Sequence, residues 1–503
     1  MKLESIKNVF ILIIFISSIY EIQNFVALPF NTIYLKDKTS NEKNYFSNVT
    51  QSDLCVNFTI GSKNESIKAV LKMEKYGFII YEKAYDYENS SSYETFDKDV
   101  QIRWIPRSTR FPSKDKLKLP HYESYKAFKE KRTYDLNMTN KTEFLRVEDI
   151  DEKDKHFFNE MYYTYGIIGL QLIANPYYTG MELVKLLKEI NETKSTVFHL
   201  YFEDIKKNEF STNDNKGYFL IGEELTDNKK YLKDIEYINC PEVDEYAKLM
   251  WGMNFSHIYL KQNESNIIEI DNITTSSEFV VNYPYIKGGI EYFEYINNIF
   301  FDELLSKNIC KIVNFSRHDI YVRYESYGYA CDSNSKYFMD KLNNNFPDLL
   351  FYNYDFNRNF TLTKKDLFAF NTLNESDTDL YFLVVNGIDE NNRWILGIPF
   401  LKKYTLSFDY DNKRIGYYIN YGKEEEEESD SDQKNNDEYN FFTSTAFIII
   451  ICVVSACIIF GLGMLFNNYL KKSRKKRANE LDDDYEYENY ENKINNDESR
   501  KSE

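Results

Sequence analysis

The sequence predicts a mainly β protein with a few helices and one C-terminal transmembrane helix, and three observations predict it. From about Cys55 to Tyr421 the chain reads as short alternating strands broken by Asn, Asp, Ser and Gly turns, with Ile67–Leu71, Tyr218–Ile221, Leu380–Val385 and Thr405–Phe408 as examples. Helical periodicity is confined to a few stretches, notably Met181–Ile190 (MELVKLLKEI) and Ile290–Leu305. One run, Ala446–Phe466, is uncharged and long enough to cross a bilayer as a helix.

Length and composition bound the answer further. A chain of 503 residues has room for about three domains and a large core. Hydrophobic residues at 43% and charged residues at 28% exclude wholesale disorder. The formal net charge of −18 argues against a nucleic-acid partner, because phosphate binding needs a clustered basic surface. Tyr (44) and Phe (38) are abundant while Trp is rare (3), and Asn and Lys are common. Such a bias is typical of an AT-rich genome, so Asn-rich and Lys-rich stretches carry little functional weight.

Taken from the N-terminus, residues 1–22 read as a secretory signal: Lys2 supplies a basic start and Val9–Ile19 a run of about ten apolar residues. Residues 23–50 follow as a prosegment or N-terminal extension. Residues 97–158 are rich in Lys, Glu and Asp with little periodicity, which predicts long surface loops or an insertion. The acidic segment 422–441 reads as a disordered stalk, 442–466 as the membrane helix and 467–503 as a tail. Lys471, Lys472, Arg474, Lys475, Lys476 and Arg477 follow the membrane run directly, so the tail is expected in the cytosol. The expected layout is a single-pass type I membrane protein of the secretory pathway or cell surface, its ectodomain lumenal or extracellular. The charge is uneven: residues 422–440 hold nine acids and two bases, and the tail ten acids and nine bases, which leaves −10 for everything before the stalk.

Six cysteines divide accordingly. Cys452 and Cys457 fall in the membrane run, leaving Cys55, Cys240, Cys310 and Cys331 in an oxidising compartment, where two disulfides in three connectivities can form. Their spacing is too wide for a zinc ribbon, and no cofactor or metal is implied. Thirteen N-x-Ser/Thr sequons occur, all before residue 380; Asn48, Asn57, Asn64, Asn89, Asn137, Asn254, Asn314 and Asn374 are candidate glycosylation sites of a lumenal domain. The five histidines (His121, His156, His199, His257, His318) fall in no metal-binding or nucleophile-paired pattern. His199 and His257 sit on strand-like stretches, as ordinary partly buried rings.

The most specific stretch is Trp394–Ile419, WILGIPFLKKYTLSFDYDNKRIGYYI. It resembles the C-terminal signature of pepsin-like aspartyl proteases: an ILG turn, a Phe and a Tyr, then FD-x-x-x-x-RIG, carried here by Ile395, Leu396, Gly397, Phe400, Tyr404, Phe408, Asp409, Arg414, Ile415 and Gly416. The acid usual after ILG is replaced by Ile398. Other landmarks occur in family order: Asn57–Gly61 (NFTIG), Tyr165–Leu170 (YGIIGL, similar to DGILGL), Val197–Tyr201, Gly217–Gly222 (GYFLIG), Trp251 and Phe346–Phe351 (FPDLLF). The resemblance spans about residues 50–420 and implies a two-lobed pepsin-like acid protease fold, with lobes at 51–235 and 236–421. It further implies a disulfide between Cys310 and Cys331, leaving Cys55 and Cys240 as a second candidate pair. Membrane-anchored, plasmepsin-like members share the signal–lobes–anchor layout.

Family members cleave peptides with two aspartates, one per lobe in an Asp-Thr/Ser-Gly loop, that lie about 3 Å apart and share one proton. Neither Asp-Thr-Gly nor Asp-Ser-Gly occurs in this chain. In register with the family, Lys72 stands at the first aspartate, followed by Met73 and Glu74, and Asn282 at the second, followed by Tyr283 and Pro284; a slip of a residue or two in the first register stays open. An ammonium and an amide cannot share a proton, so the resemblance implies a pseudoprotease that binds a protein or extended peptide in the interlobe cleft or on an outer lobe face. Receptor, scaffold and adhesion roles all fit. The alternative is an aspartic-type endopeptidase with a non-standard active site. A buried Lys72 would need a carboxylate, for which Glu74 is the candidate, or an outlet to solvent. Asp332-Ser333-Asn334 superficially resembles a catalytic loop but reads as a surface turn.

Overall fold

The computed structural model describes residues 25–34, 52–75, 77–81, 84–95, 109–122, 128, 137–148, 165–172, 182–203, 210–212, 214–225, 235–242, 249–263, 265–271, 275–318, 323–370, 378–386 and 394–418. The signal, stalk, membrane and tail assignments lie outside them. Among the described residues, no helix is long and apolar enough to cross a membrane.

The architecture is mainly β, and one strand pattern occurs twice. In the N-terminal half, β1 (Phe25–Tyr34), β2 (Ser52–Ile60), β3 (Glu65–Lys72) and β4 (Phe78–Tyr81) are followed by the long strands β5 (Thr109–Leu119) and β6 (Asn137–Glu148) and by the short β7 (Gly166–Gly169). β2 and β3 form an antiparallel hairpin. β7 then inserts between β3 and β4, parallel to the first and antiparallel to the second, and β4 runs parallel to β6. Helix α1 (Leu183–Glu189) leads into β8 (Val197–Phe202) and β9 (Lys216–Ile221).

The C-terminal half begins near β10 (Ile235–Asn239) and repeats the pattern with β11 (Gly252–Phe255), β12 (Thr275–Phe279), β13 (Ile286–Gly288), β14 (Val384–Asn386) and β15 (Trp394–Leu396). β11 pairs antiparallel with β12, β15 inserts parallel to β12 and antiparallel to β13, and β13 runs parallel to β14. Parallel neighbours cannot be joined by a tight turn. Each half therefore carries a long excursion before β7 or β15 returns, and the residues after β3 and β12 are left at the end of a buried parallel pair.

Six antiparallel strands of one larger sheet join the halves. Helix α2 (Ile398–Lys403) leads to β16 (Leu406–Asp409) and β17 (Arg414–Tyr418), and the sheet order is β10, β17, β16, β8, β9, β1. The FD…RIG stretch is the β16–β17 hairpin: Asp409 and Arg414 face each other in register, and the Arg414 Nε–H donates to Asp409 Oδ2 at 2.8 Å. Residues 25–34, set apart from the lobes by sequence alone, supply an interior strand of this sheet, paired with β9 and β2, with Phe25, Val26, Ala27 and Leu28 all buried.

Within residues 97–158, expected as long surface loops or an insertion, the described stretches include two long paired strands. β5 and β6 form a long hairpin whose inward positions include Ser113, Asp115, Thr139 and Thr142, all buried. Polar inward residues hide the alternation from a hydrophobicity reading. They are hydrogen-bonded rather than apolar: Tyr85 and Ser92 donate to Asp115, the Tyr93 and Ser113 hydroxyls meet at 2.9 Å, and Leu117 N–H donates to Thr139 Oγ1 at 2.9 Å.

Cys310 and Cys331 form the expected disulfide, from register-paired positions of two antiparallel strands. The second candidate pair does not form: Cys55 and Cys240 are buried free thiols. Cys55 sits inside the β2–β3 hairpin opposite Val70, while Cys240 follows β10 and donates its backbone N–H to Lys413 O at 3.0 Å, so the two belong to separate ladders. Burial pushes each thiol up to about 12. Of the sequons, Asn64, Asn89 and Asn254 are exposed, whereas Asn57 lies partly buried within β2; Asn48 and Asn374 fall outside the described residues. Asp332–Asn334 form a turn leading into a helix, as expected. His257 is partly exposed beside Glu269 at 2.6 Å.

His199 is fully buried in the joining sheet, with Nδ1 3.1 Å from Leu406 O and Nε2 3.0 Å from Glu223 O. Burial holds its pKa below the ordinary 6.5. The folded state then resists protonation more than the unfolded chain does. Stability is fully present above the unfolded value and is lost as pH falls toward the lower folded value. His199→Gln should flatten this dependence: urea midpoints of the native chain should fall between pH 7.5 and 5.5 by more than those of the variant.

Candidate functional site

The two repeats meet at the loops that follow β3 and β12. Aligning Ile167-Ile168-Gly169 on β7 with Ile395-Leu396-Gly397 on β15 relates the halves residue by residue. Leu71 pairs with Ile168 and Phe279 with Leu396; three residues beyond them stand Glu74 and Asn282. On the other flank Ile79 pairs with Ile167 and Lys287 with Ile395, and five residues before them stand the same two positions. Both ladders thus relate Asn282 to Glu74. The side chains touch: Asn282 Nδ2–H donates to Glu74 Oε1 at 2.9 Å.

The sequence register had set Lys72 opposite Asn282. The residue that the structure brings to Asn282 is Glu74, two positions further on, within the slip that the sequence left open. A signal for this was present in the spacing, because an apolar strand begins four residues after each position, at Phe78 and at Ile286.

Lys72 closes β3 and turns elsewhere. Its ammonium donates to Asp53 Oδ1 at 2.8 Å, with both side chains almost wholly buried. The β2–β3 register explains the choice: Cys55 faces Val70, so two residues along Asp53 faces Lys72 as a cross-strand partner. The carboxylate anticipated for Lys72 is therefore Asp53, not Glu74.

The backbone around the pair is tightly held. Leu170 N–H donates to Lys72 O at 2.8 Å and Gln171 N–H to Lys75 O at 2.7 Å; in the second half Ile398 N–H donates to Tyr283 O at 2.8 Å. Gly397 is required by contact, since a Cβ there would lie 2.1 Å from Tyr285 O and 2.2 Å from Tyr283 O. Ile398, in place of an acid, is buried at the start of α2. Trp251 Nε1–H donates to Leu170 O and the Tyr410 hydroxyl to Gln171 O at 3.4 Å, tying C-terminal residues to the segment just behind β7. Asn282 is 1% exposed and Glu74 partly so, yet Glu74 Oε2 is buried and receives no hydrogen bond from the described residues.

Two side chains, one from each half of a duplicated fold, meeting where the halves touch, is the arrangement of a two-lobed acid protease. Residues 135–418 match the eukaryotic aspartyl protease family, and the chain belongs to that family. No curated protein matches the chain. Proteins of this pepsin-like fold bind peptide substrates in the cleft between the lobes.

Asp53→Ala removes the buried carboxylate that Lys72 donates to and should cost about 3–5 kcal/mol in urea unfolding, whereas the joint change Asp53→Leu with Lys72→Met should cost less. Asn282→Asp sets two carboxylates in contact, which raises the folded pKa of one above its ordinary value of about 4. Its stability should match the native chain near pH 4 and fall below it as pH rises to 7, read as diverging urea midpoints.

Proposed function

We propose that this chain is a catalytically inactive aspartyl-protease-like membrane protein that binds extended peptide or protein segments in its interlobe cleft, as a receptor, scaffold or adhesion component. The observation that carries the reading is the Glu74–Asn282 contact: one carboxylate meets one carboxamide where the family mechanism needs two carboxylates sharing a proton. An amide neither ionises nor accepts a proton near neutral pH, so water activation by a proton-sharing pair has no second partner. Binding has no such requirement, since an extended peptide is held by backbone hydrogen bonds and side-chain pockets.

The signal-like start, the apolar run 446–466 and the basic residues after it support a type I topology, with the lobes outside the cytosol on an acidic stalk that repels itself into an extended tether. Exposed sequons and the disulfide suit that compartment.

Full-length chain in detergent, incubated with a defined peptide pool at pH 4.5 and pH 7.5, should retain peptides while leaving every one intact by mass spectrometry. Cleavage that co-purifies with the chain and disappears in Glu74→Gln would overturn the reading in favour of a peptidase with a non-standard site.

A further inference from the structure

We infer that Asn359 carries an N-linked glycan whose first sugars lie on an aromatic patch of the chain's own surface; the attachment rests on the lumenal reading above. Asn359-Phe360-Thr361 is one of the sequons. It lies on the strand Arg358–Leu362, at the edge of a four-stranded sheet in which Asp348–Asn353 and then His257–Asn263 come next. Burial alternates along this strand: Phe360 and Leu362 are buried, and Asn359 is exposed on the opposite face. The carboxamides of Asn89, Asn254 and Asn263 are already bonded to neighbouring side chains or backbone. That of Asn359 makes no hydrogen bond to the described residues, so an attached sugar displaces nothing.

Strand register decides what lies beside such a sugar. Asn359 faces Tyr352 across one ladder, and Tyr352 faces His257 across the next. Directly opposite residues share a face with Cβ atoms about 4.5–5.5 Å apart, so the three side chains form a row running inward from the edge of the sheet. Tyr259, two residues past His257 and therefore on the same face, stacks with it at 5.6 Å between ring centroids, and the Tyr352 ring lies 6.1 Å from that of His257. All three rings are partly exposed. They are also held in place: the Tyr352 hydroxyl donates to Asn357 Oδ1 at 2.8 Å, and His257 Nδ1 lies 2.6 Å from Glu269 Oε1.

A fixed platform of ring faces with polar rims matches N-acetylglucosamine, which presents C–H groups on its faces and hydroxyl and acetamido groups at its edge. Contact buries apolar area on both partners. Because the sugar is tethered one residue from the platform, its effective concentration there is high, and no free ligand has to be recruited.

Attachment is a glycosyl transfer. Asn359 Nδ2 bonds to the anomeric carbon of N-acetylglucosamine and gives up one proton. The bond from that carbon to the phosphate oxygen of a polyprenyl-diphosphate sugar breaks, and the lipid diphosphate leaves with the electron pair. This lipid-linked sugar, supplied in the secretory compartment, is the co-reactant. Nδ2 keeps one N–H and Oδ1 is untouched.

The test uses full-length chain made in a eukaryotic secretory host and purified in detergent. Glycopeptide mass spectrometry should find Asn359 occupied on most copies. Hydroxyl-radical footprinting should then show Tyr352 and His257 oxidised several-fold more slowly in the glycosylated chain than in Asn359→Gln, with the exposed Tyr337 as an unchanged reference. Removing the glycan from the folded native chain with a peptide-N-glycosidase should expose the same two residues, which makes the comparison without a variant. Glycans on other sequons with Asn359 bare overturn the inference and leave the lumenal reading standing. Glycans on no sequon overturn both. An occupied Asn359 with Tyr352 and His257 oxidised equally before and after glycan removal overturns the inference, because the sugar then does not lie on the patch.

Discussion

The hydrogen bond between Glu74 and Asn282 is the point at which two copies of one strand pattern touch, and much of the surrounding structure can be derived from it. For the two side chains to meet, β3 and β12 must both end at the contact between the halves, each flanked by a parallel strand that returns from far along the chain. The backbone must come close enough that Gly397 has no room for a Cβ. Asn282 and Glu74 meet there in one hydrogen bond, and Lys72, at the end of β3, is turned sideways into its cross-strand neighbour Asp53. The ion pair with Asp53 thus holds the Lys72 ammonium at the β2–β3 ladder.

The contact in turn depends on what fixes the halves relative to each other. The joining sheet sets C-terminal strands β10, β17 and β16 beside N-terminal strands β8, β9 and β1, the two sets meeting at the β16–β8 pair. On its inner side Phe198 stacks on Phe408 with ring centroids 4.8 Å apart, Trp251 meets both edge-on, and Tyr410 packs tilted against Phe198 and edge-on to Trp251. Trp251 and Tyr410 also hold the carbonyls of Leu170 and Gln171, one and two residues past β7. The aromatic excess of the composition is thus spent partly on the floor beneath the site. Aromatic side chains fill this floor with large apolar area and still offer polar tips to bind the backbone.

Much of this was legible in the sequence, and the failures have distinct physical causes. The strands around Ile67–Leu71, Tyr218–Ile221 and Thr405–Phe408, the ILG and RIG stretches and the Cys310–Cys331 pair could be read because each depends on local pattern or on a motif fixed by close packing. The β5–β6 hairpin escaped because Asp115, Ser113 and Thr139 face inward and are paid for by hydrogen bonds, which hydrophobic alternation does not register. The site itself was legible in one half only. Asn282 could be located because the helical stretch 290–305 and Cys310 follow it at suitable distances, but in the first half the run IKAVLKMEKYGFII offers two overlapping registers. Choosing between them needs the pairing of β7 with both β3 and β4, which is information about strands about 90 residues apart and not about the segment itself.

The replacement at 282 has a consequence for how the contact behaves. Two carboxylates at hydrogen-bond distance can coexist only by holding a proton between them, so their contact is stable in acid and strained once that proton is lost. A carboxamide needs no borrowed proton: its N–H is a permanent donor, and the bond to Glu74 persists wherever Glu74 is ionised. On the proposed reading, a carboxamide at 282 makes the meeting point of the halves a fixed polar feature that needs no shared proton. Moving protons would require a second ionisable partner, whereas holding an extended peptide by backbone hydrogen bonds and side-chain pockets would not.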